Sequence, residues 1–188
     1  MNYLQIDKAS ISNGPGVRVV LWVAGCSIHC KGCQNPESWD FHSGKLFDKE
    51  AKQELFETLD KPYIKGITLS GGHPLEPENR LEVLKLIKEI KTKFSNKDIW
   101  LYTGYTLEDI LSKYINQRLY ELFSGINDFN DEDWRNCLKY LAYIDVIVDG
   151  PYIEEQRDIT LAFRGSKNQR IIDVKETLKQ GKIVTIQN

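Results

Sequence analysis

Residues 17–33 have the sequence VRVVLWVAGCSIHCKGC, in which a run of apolar residues leads directly into a group of cysteines. The run over residues 17–23 is rich in β-branched and aromatic side chains, which predicts a strand buried on both faces of a sheet. Cys26, Cys30 and Cys33 follow on what must be a short loop. The sequence therefore predicts that a buried strand brings three thiols to one edge of a sheet.

Further strands and helices alternate along the rest of the chain. Apolar runs predict strands over residues 65–70, 98–102 and 144–148, and residues 182–186 are a candidate for a last strand. Apolar spacing of three and four residues, together with capping residues, predicts helices over residues 48–59, 78–94, 106–114, 131–142 and 173–181. This alternation predicts βαβ units with right-handed crossovers and a parallel sheet.

Residues suited to ligand binding follow each of the four main predicted strands. The cysteine loop follows the first, and the sequences GGHP (71–74), TGY (103–105) and DGP (149–151) follow the others. In parallel sheets and barrels, ligands bind at the carboxyl ends of the strands. We therefore expect these four loops to converge on one face of the molecule.

Length and composition limit the classes of protein that fit. The 188 residues suit one domain, and the formal net charge of -2 with a pI near 6.0 gives no basic excess for nucleic-acid binding. The N-terminus lacks the basic and apolar segments of a signal peptide, and no apolar run is long enough to span a membrane. These features predict a soluble, cytoplasmic protein without nucleic-acid or membrane partners.

The cysteine spacing, Cys-x3-Cys-x2-Cys, is typical of metal binding in a reducing compartment. Three thiolates on one loop can hold a 4Fe–4S cluster and leave one iron open to a substrate. One alternative is a structural zinc site, which needs a fourth ligand. That ligand would be His29, His42, His73 or Cys137. Cysteines that bind no metal are the remaining alternative.

The motifs around the cysteines resemble a known family. The spacing is similar to that of the radical S-adenosylmethionine (radical SAM) enzymes, and NGPGVRVVLWVAGC with CKGCQNPESWD resembles the branch that activates glycyl radical enzymes. Within that branch, SGGHPLEPENR, DIWLYTGYT, DVIVDGPY and RGSKNQR resemble the activating proteins of anaerobic (class III) ribonucleotide reductase. The resemblance covers about residues 1–111 and 143–172. We interpret residues 112–142 as an insertion of unknown role.

The resemblance implies a fold and a reaction. The fold is α/β, a single radical SAM domain over residues 1–188 that forms an incomplete parallel (β/α) barrel, because eight strand–helix units need roughly 250 residues. Cys26, Cys30 and Cys33 would hold a 4Fe–4S cluster whose fourth iron binds S-adenosylmethionine (SAM). Reductive cleavage of SAM would give a 5'-deoxyadenosyl radical, which removes a hydrogen atom from a glycine of the reductase. The electron would come from a low-potential donor such as a flavodoxin.

The resemblance also implies which residues contact SAM. Gly71, Gly72 and His73 occupy the place of a Gly-Gly-acidic-Pro motif that holds the methionyl amino group, although a histidine stands where the family has an acid. The alternative for His73 is a turn residue without a ligand role. Gly32 would leave room for adenine, and Asp149 would reach the ribose or amine, or else cap a helix or loop. The full expected set is Gly32, Cys33, Gln34, Gly71, Gly72, His73, Thr103, Asp149 and Asn168.

Two loops keep two interpretations each, and one cysteine lies apart from the others. Residues 13–16 (NGPG) form either a plain turn or part of a lid over the partner's glycine loop. Residues 164–170 form either a solvated loop or a contact with SAM or the reductase. Cys137 is expected to be a buried or incidental thiol on a helix.

Two other functions remain open at this point. The protein could activate a different glycyl radical enzyme or perform a small-molecule radical SAM reaction. From a different class, it could be a zinc-binding adaptor without catalysis.

Overall fold

The structure, a computed structural model, describes residues 1–112 and 141–187. Within these residues, seven strands form one mixed sheet in the order β3-β1-β2-β4-β5-β6-β7. The strands are β1 (Asn2–Ser10), β2 (Arg18–Val23), β3 (Lys45–Leu46), β4 (Gly66–Gly71), β5 (Asp98–Tyr102), β6 (Val146–Asp149) and β7 (Arg170–Asp173). The chain is thus an α/β protein, as the alternation of strand and helix patterns predicted.

The four central strands, β2, β4, β5 and β6, run parallel, and they correspond to the four main predicted strands. The prediction of a parallel sheet is wrong for the other three, because β1, β3 and β7 pair antiparallel with their neighbours. β1 is largely half-exposed and polar, so it carries no apolar run. Residues 182–186 form only an isolated bridge, between Thr185 and Ile172, rather than a strand.

The helices are α1 (Lys49–Leu59), α2 (Pro77–Lys93) and α3 (Val174–Gln180), and residues 107–112 are also helical. The capping predictions for α1 and α3 are confirmed. Asp48 accepts a hydrogen bond from the Ala51 N–H, and Asp173 accepts one from the Glu176 N–H, each at 2.9 Å. Gly181 ends α3 in the left-handed conformation, with φ of 64°.

Several predictions fall outside the described residues. They concern nearly all of the helix at 131–142, the last residues of the helix at 106–114, most of the insertion at 112–142, and Cys137. No helix in the described parts of the chain has the length and apolar character needed to cross a bilayer.

The two faces of the sheet are covered differently. The main core lies on the face that packs against α1 and α2, and it includes Leu21, Leu69 and Leu101. Side chains of a strand alternate between faces, so Trp100 and Val148 belong to a smaller cluster on the opposite face, which Phe163 covers. Within the described residues, helices therefore pack on one face and a loop covers the cluster on the other.

An ion pair between a buried arginine and a partly exposed aspartate joins two of the parallel strands at their amino ends. Arg18 is fully buried, its guanidinium lies 2.5 Å from the Asp98 carboxylate, and it also donates to Thr68 Oγ1 at 2.9 Å. These partners explain why one charged residue interrupts the apolar run of β2. A buried guanidinium needs its full set of acceptors, so this contact fixes the register of β2 against β4 and β5.

Asp145 connects three elements, and we expect its loss to destabilise the fold. Its carboxylate accepts from Lys91 Nζ of α2 at 2.6 Å, Lys175 Nζ of α3 at 2.6 Å, and the Ile99 N–H of β5 at 2.8 Å. Burial alone would raise the pKa of Asp145, but the hydrogen bonds from Lys175 and Lys91 outweigh it and hold the pKa below its ordinary value.

Replacing Asp145 with asparagine should lower the free energy of unfolding by about 2 kcal/mol at neutral pH. A carboxyl group whose pKa is lowered by folding stabilises the protein above its unfolded pKa, and the effect disappears as the pH falls through the lowered pKa. Urea unfolding should therefore show a gap between wild type and variant that closes in acid. Asp60→Asn, at an exposed position, is the control. A gap that is equal at neutral and acid pH would contradict the role given to this carboxylate.

Candidate functional site

A cavity of about 200 Å³ lies at the carboxyl end of the parallel strands. All four loops predicted to converge there contribute to its lining. The lining includes Cys26, Cys30, Cys33, Gln34, Gly71, Gly72, His73, Thr103, Gly104 and Gly150. The sheet thus brings residues that lie far apart in sequence around one space.

The three cysteines of the loop are free thiols on the wall of this cavity, with Cys26 buried and the other two half-buried. Burial raises the pKa of Cys26 and Cys30, while backbone N–H groups of Ile28 and His29 at Cys26, and of Tyr152 at Cys30, act in the opposite direction. The Asn35 N–H donates to Cys33 Sγ at 3.4 Å. Such N–H···S contacts are among the features that set the potential of an iron–sulfur cluster.

The cysteine loop is held in place by its own backbone. The Gly25 N–H donates to the Ser38 carbonyl at 2.8 Å, and the Cys26 N–H donates to the Trp39 carbonyl at 3.1 Å. His29, which adopts a positive φ of 48°, stacks on the Trp39 ring at 4.6 Å. These contacts tie the cysteine loop to the residues that follow it.

These thiols fit an iron–sulfur cluster by their number and position. Within the parts of the chain that the structure describes, no three His, Cys, Asp or Glu side chains converge on one point as ligands of a single metal ion do. A cluster does not require such convergence, because each thiolate binds a different iron atom. Three soft thiolate donors beside an open cavity can therefore each bind one iron of a cluster.

The Gly-Gly loop after β4 lies close against the neighbouring strand. A Cβ atom on Gly71, which has φ of +107°, would lie 2.5 Å from the Val23 carbonyl oxygen. A Cβ on Gly72 would lie 2.5 Å from the Gly25 carbonyl oxygen. Only glycine permits this close approach, so the backbone of both residues lies on the cavity wall.

His73 is buried, with 1% of its surface exposed, and both ring nitrogens have partners. Nδ1 lies 3.0 Å from Glu76 Oε1, and Nε2 lies 2.8 Å from Thr103 Oγ1. The same Glu76 oxygen accepts from the N–H and hydroxyl of Ser27 on the cysteine loop, at 2.9 and 2.8 Å. His73 is therefore part of a network that joins two loops of the site, and not an isolated turn residue.

Sequence reasoning missed Glu76. Burial alone would raise the pKa of its carboxyl group, but the hydrogen bonds from His73 and Ser27 outweigh it and lower the pKa to about 2. The signal was available in GGHPLE, where an acid follows the histidine by three residues within one turn. Trp22, Tyr102 and Tyr152 also line the cavity without having been singled out.

Three residues expected to contact SAM do not line this cavity. Asp149 is fully buried and accepts from the Leu107 N–H at 2.8 Å and from Arg170 Nε at 3.0 Å, which matches the capping alternative. Asn168 donates to the Pro151 carbonyl at 2.7 Å and accepts from Ser166 Oγ. Both residues shape the backbone of the wall instead of presenting a side chain to the cavity.

Gly32, the third of them, lies on the exposed side of the cysteine loop, with φ of +73°. A Cβ there would lie 2.1 Å from a carboxylate oxygen of Glu154, which the Tyr152 hydroxyl holds at 2.6 Å. The glycine thus lets the segment after β6 pack directly on the cysteine loop.

The two loops with open interpretations both reach the cavity. Asn13 lines it, as do Gly165 and Gln169. Gln169 Oε1 accepts from the N–H groups of Gly165 and Ser166, at 2.9 and 3.1 Å. Residues 164–170 are therefore internally hydrogen-bonded and not a loosely solvated loop.

Comparison with known proteins assigns this arrangement to a class and then to a family. Residues 12–172 match the family model of a 4Fe-4S single cluster domain, so the chain is an iron–sulfur cluster protein. It is 41% identical over 171 residues to the anaerobic ribonucleoside-triphosphate reductase-activating protein of Enterobacteria phage T4, covering 91% of this chain and 93% of that protein. The chain belongs to the family of anaerobic ribonucleoside-triphosphate reductase-activating proteins.

Bacterial relatives of the same name support this assignment. The Haemophilus influenzae protein is 40% identical over 173 residues, with 91% of this chain and 97% of that protein covered. The Escherichia coli K12 protein is 35% identical over 171 residues, with 90% of this chain and 96% of that protein covered.

Proposed function

We propose that this protein activates an anaerobic ribonucleotide reductase by generating a glycyl radical on it, with a 4Fe–4S cluster and SAM as cofactors. One observation carries the proposal. Cys26, Cys30 and Cys33 line the same cavity as the Gly71–His73 loop, in a chain whose relatives are named for activation of this reductase.

The cysteines would hold the cluster by three of its irons. The fourth iron would then be open to the amino and carboxylate groups of SAM. When bound, the cluster supplies the electron that cleaves SAM, and the radical so formed removes a hydrogen atom from the glycine. The protein's contribution is binding, orientation and exclusion of water.

The remaining cavity residues would orient SAM. The main chains of Gly71 and Gly72 offer polar backbone groups close to the cluster loop, and Thr103 and Gln34 add side chains on the same wall. His73 presents its edge beside the Tyr105 ring, 4.4 Å away. We propose that these residues hold the methionyl part of SAM.

The mixed sheet would form the curved wall of a partial barrel of the radical SAM type. A barrel that does not close leaves its mouth open, which suits an enzyme whose substrate is a glycine loop of another protein. A low-potential donor such as a flavodoxin would supply the electron in the cytoplasm, where free thiols persist.

The test is activation of the reductase in vitro. The protein, reconstituted without oxygen, is mixed with SAM, dithionite and the anaerobic reductase of the same organism, and the sample is frozen for EPR. We expect a glycyl radical signal that depends on SAM and on this protein. No signal with a reductase that another activating protein does activate would contradict the proposal.

A further inference from the structure

Glu76 is a buried carboxylate at the centre of the site, yet it does not itself line the cavity. Its exposed fraction is 3%, and Oε1 meets Ser27 N, Ser27 Oγ and His73 Nδ1 within 3.0 Å. Its two partners belong to the cysteine loop and the Gly-Gly-His loop. Glu76 therefore holds the loops expected to bind the cluster and SAM at a fixed distance from each other.

The hydrogen-bond roles in this network follow from chemistry. An ionised carboxylate only accepts, so His73 Nδ1 must carry a proton and donate it to Glu76. In a neutral ring the other nitrogen, Nε2, then has a free lone pair. Thr103 Oγ1 already accepts from the Tyr105 N–H at 3.1 Å, so its own proton is available to His73 Nε2. Nε2 therefore accepts from the Thr103 hydroxyl, and the second lone pair of Thr103 Oγ1 is left as the free acceptor of this network.

Thr103 lines the cavity, so this acceptor lies where a ligand would bind. A carboxylate that accepts the N–H of an imidazole orients the ring and makes the other nitrogen more basic. Hydrogen bonds in a chain also polarise one another where water is excluded. The charge of Glu76 can therefore act on a ligand through His73 and Thr103.

We infer that Glu76 is a positioning residue that acts through His73 to orient the Thr103 hydroxyl as an acceptor for the amino group of SAM. This inference rests on the proposed function. It explains how a histidine can occupy position 73. The negative charge is not lost from the site, because Glu76 carries it beside Nδ1 of the histidine ring. A glutamate introduced at position 73 alone would instead meet Glu76 as a second buried carboxylate.

The replacement Glu76→Gln removes the negative charge of the side chain and keeps its shape. The amide oxygen can still accept from Ser27 and His73, because those donors point at one oxygen, but the negative charge is gone. Glu78→Gln is the matched control, since Glu78 lies exposed in the first turn of the same helix.

SAM binding is measured by anaerobic titration calorimetry on the reconstituted proteins, and the iron and sulfide contents are measured in parallel. We expect Glu76→Gln to assemble the cluster normally and to bind SAM about tenfold more weakly, a typical loss when a residue that orients a ligand-binding side chain is replaced. Glu78→Gln should bind SAM as the wild type does. Equal affinity of Glu76→Gln and wild type would overturn the inference.

A second measurement depends neither on the cluster nor on the folding of the Glu76→Gln variant. The chain has three histidines, so ¹⁵N NMR of the cluster-free protein can identify His73 as the signal missing from His73→Gln. At mildly alkaline pH we expect a ring protonated at Nδ1 and bare at Nε2. A ring protonated at Nε2, whether alone or together with Nδ1, would overturn the inference. Failure of the wild type itself to bind SAM would instead contradict the proposed function.

Discussion

Replacing Cys30 with alanine should abolish cluster assembly and every activity that depends on it. Among the residues that the structure describes, Cys30 is one of three thiols on the cavity wall, and a cluster that leaves one iron open to SAM has no spare protein ligand. Losing one thiolate leaves two irons without a protein ligand, so the cluster should be lost or degraded. The measurements are iron and sulfide content, the reduced-cluster EPR signal, and the yield of glycyl radical.

Cys137→Ala is the matched control, because this cysteine lies outside the Cys-x3-Cys-x2-Cys motif. It should keep the wild-type iron content and signal. A full 4Fe–4S signal in Cys30→Ala would disprove the ligand assignment, and loss of the signal in Cys137→Ala would show that a fourth cysteine takes part.

Replacing Gly71 with alanine should damage both the fold and the site. The added Cβ would lie 2.5 Å from the Val23 carbonyl oxygen and 2.6 Å from the Val23 nitrogen, and neither backbone atom can move aside. Overpacking and the positive φ together should cost about 3 kcal/mol of unfolding free energy. The shifted loop carries Gly72 and His73, so SAM affinity should fall as well.

Gly181→Ala provides the comparison. Gly181 also has a positive φ, of +64°, but nothing lies within 4 Å of its added Cβ. Only the left-handed strain remains, and it should cost about 1 kcal/mol without any change in SAM affinity. Urea unfolding and SAM titration of both variants check the prediction. If both variants lost the same free energy of unfolding, the contact with Val23 would not be the cause of the larger loss predicted for Gly71→Ala.

The parallel strands and the loops that follow them could be predicted because their signals are local. The apolar run at residues 17–23 marks a strand buried on both faces, and the structure places β2 there with parallel β4 beside it. The cysteines and the Gly-Gly-His loop line one cavity because parallel strands end at the same edge.

The antiparallel strands could not be predicted in the same way. β1 carries charged and polar residues on a half-exposed surface, and β7 is a four-residue strand within a polar segment. Their strand character depends on backbone pairing with neighbours distant in sequence, which leaves no periodic pattern. The same reason left two interpretations of Asp149 open, because its partners Leu107 and Arg170 become neighbours only in the folded sheet.

Glu76 was missed for a different reason. Alone, a glutamate before a predicted helix resembles a residue that favours the helix N-terminus. Its importance comes from three donors that meet at one buried oxygen, two from Ser27 and one from His73. Convergence of this kind is a property of the fold and not of any stretch of sequence.

The central claim is that Cys26, Cys30 and Cys33 hold a cluster with one iron open to SAM in this cavity. The most direct test is low-temperature EPR of the anaerobically reconstituted, dithionite-reduced protein, recorded with and without SAM. We predict a reduced 4Fe–4S signal whose shape changes when SAM is added. A cluster signal indifferent to SAM, or a colourless protein that holds zinc instead of iron, would contradict the account.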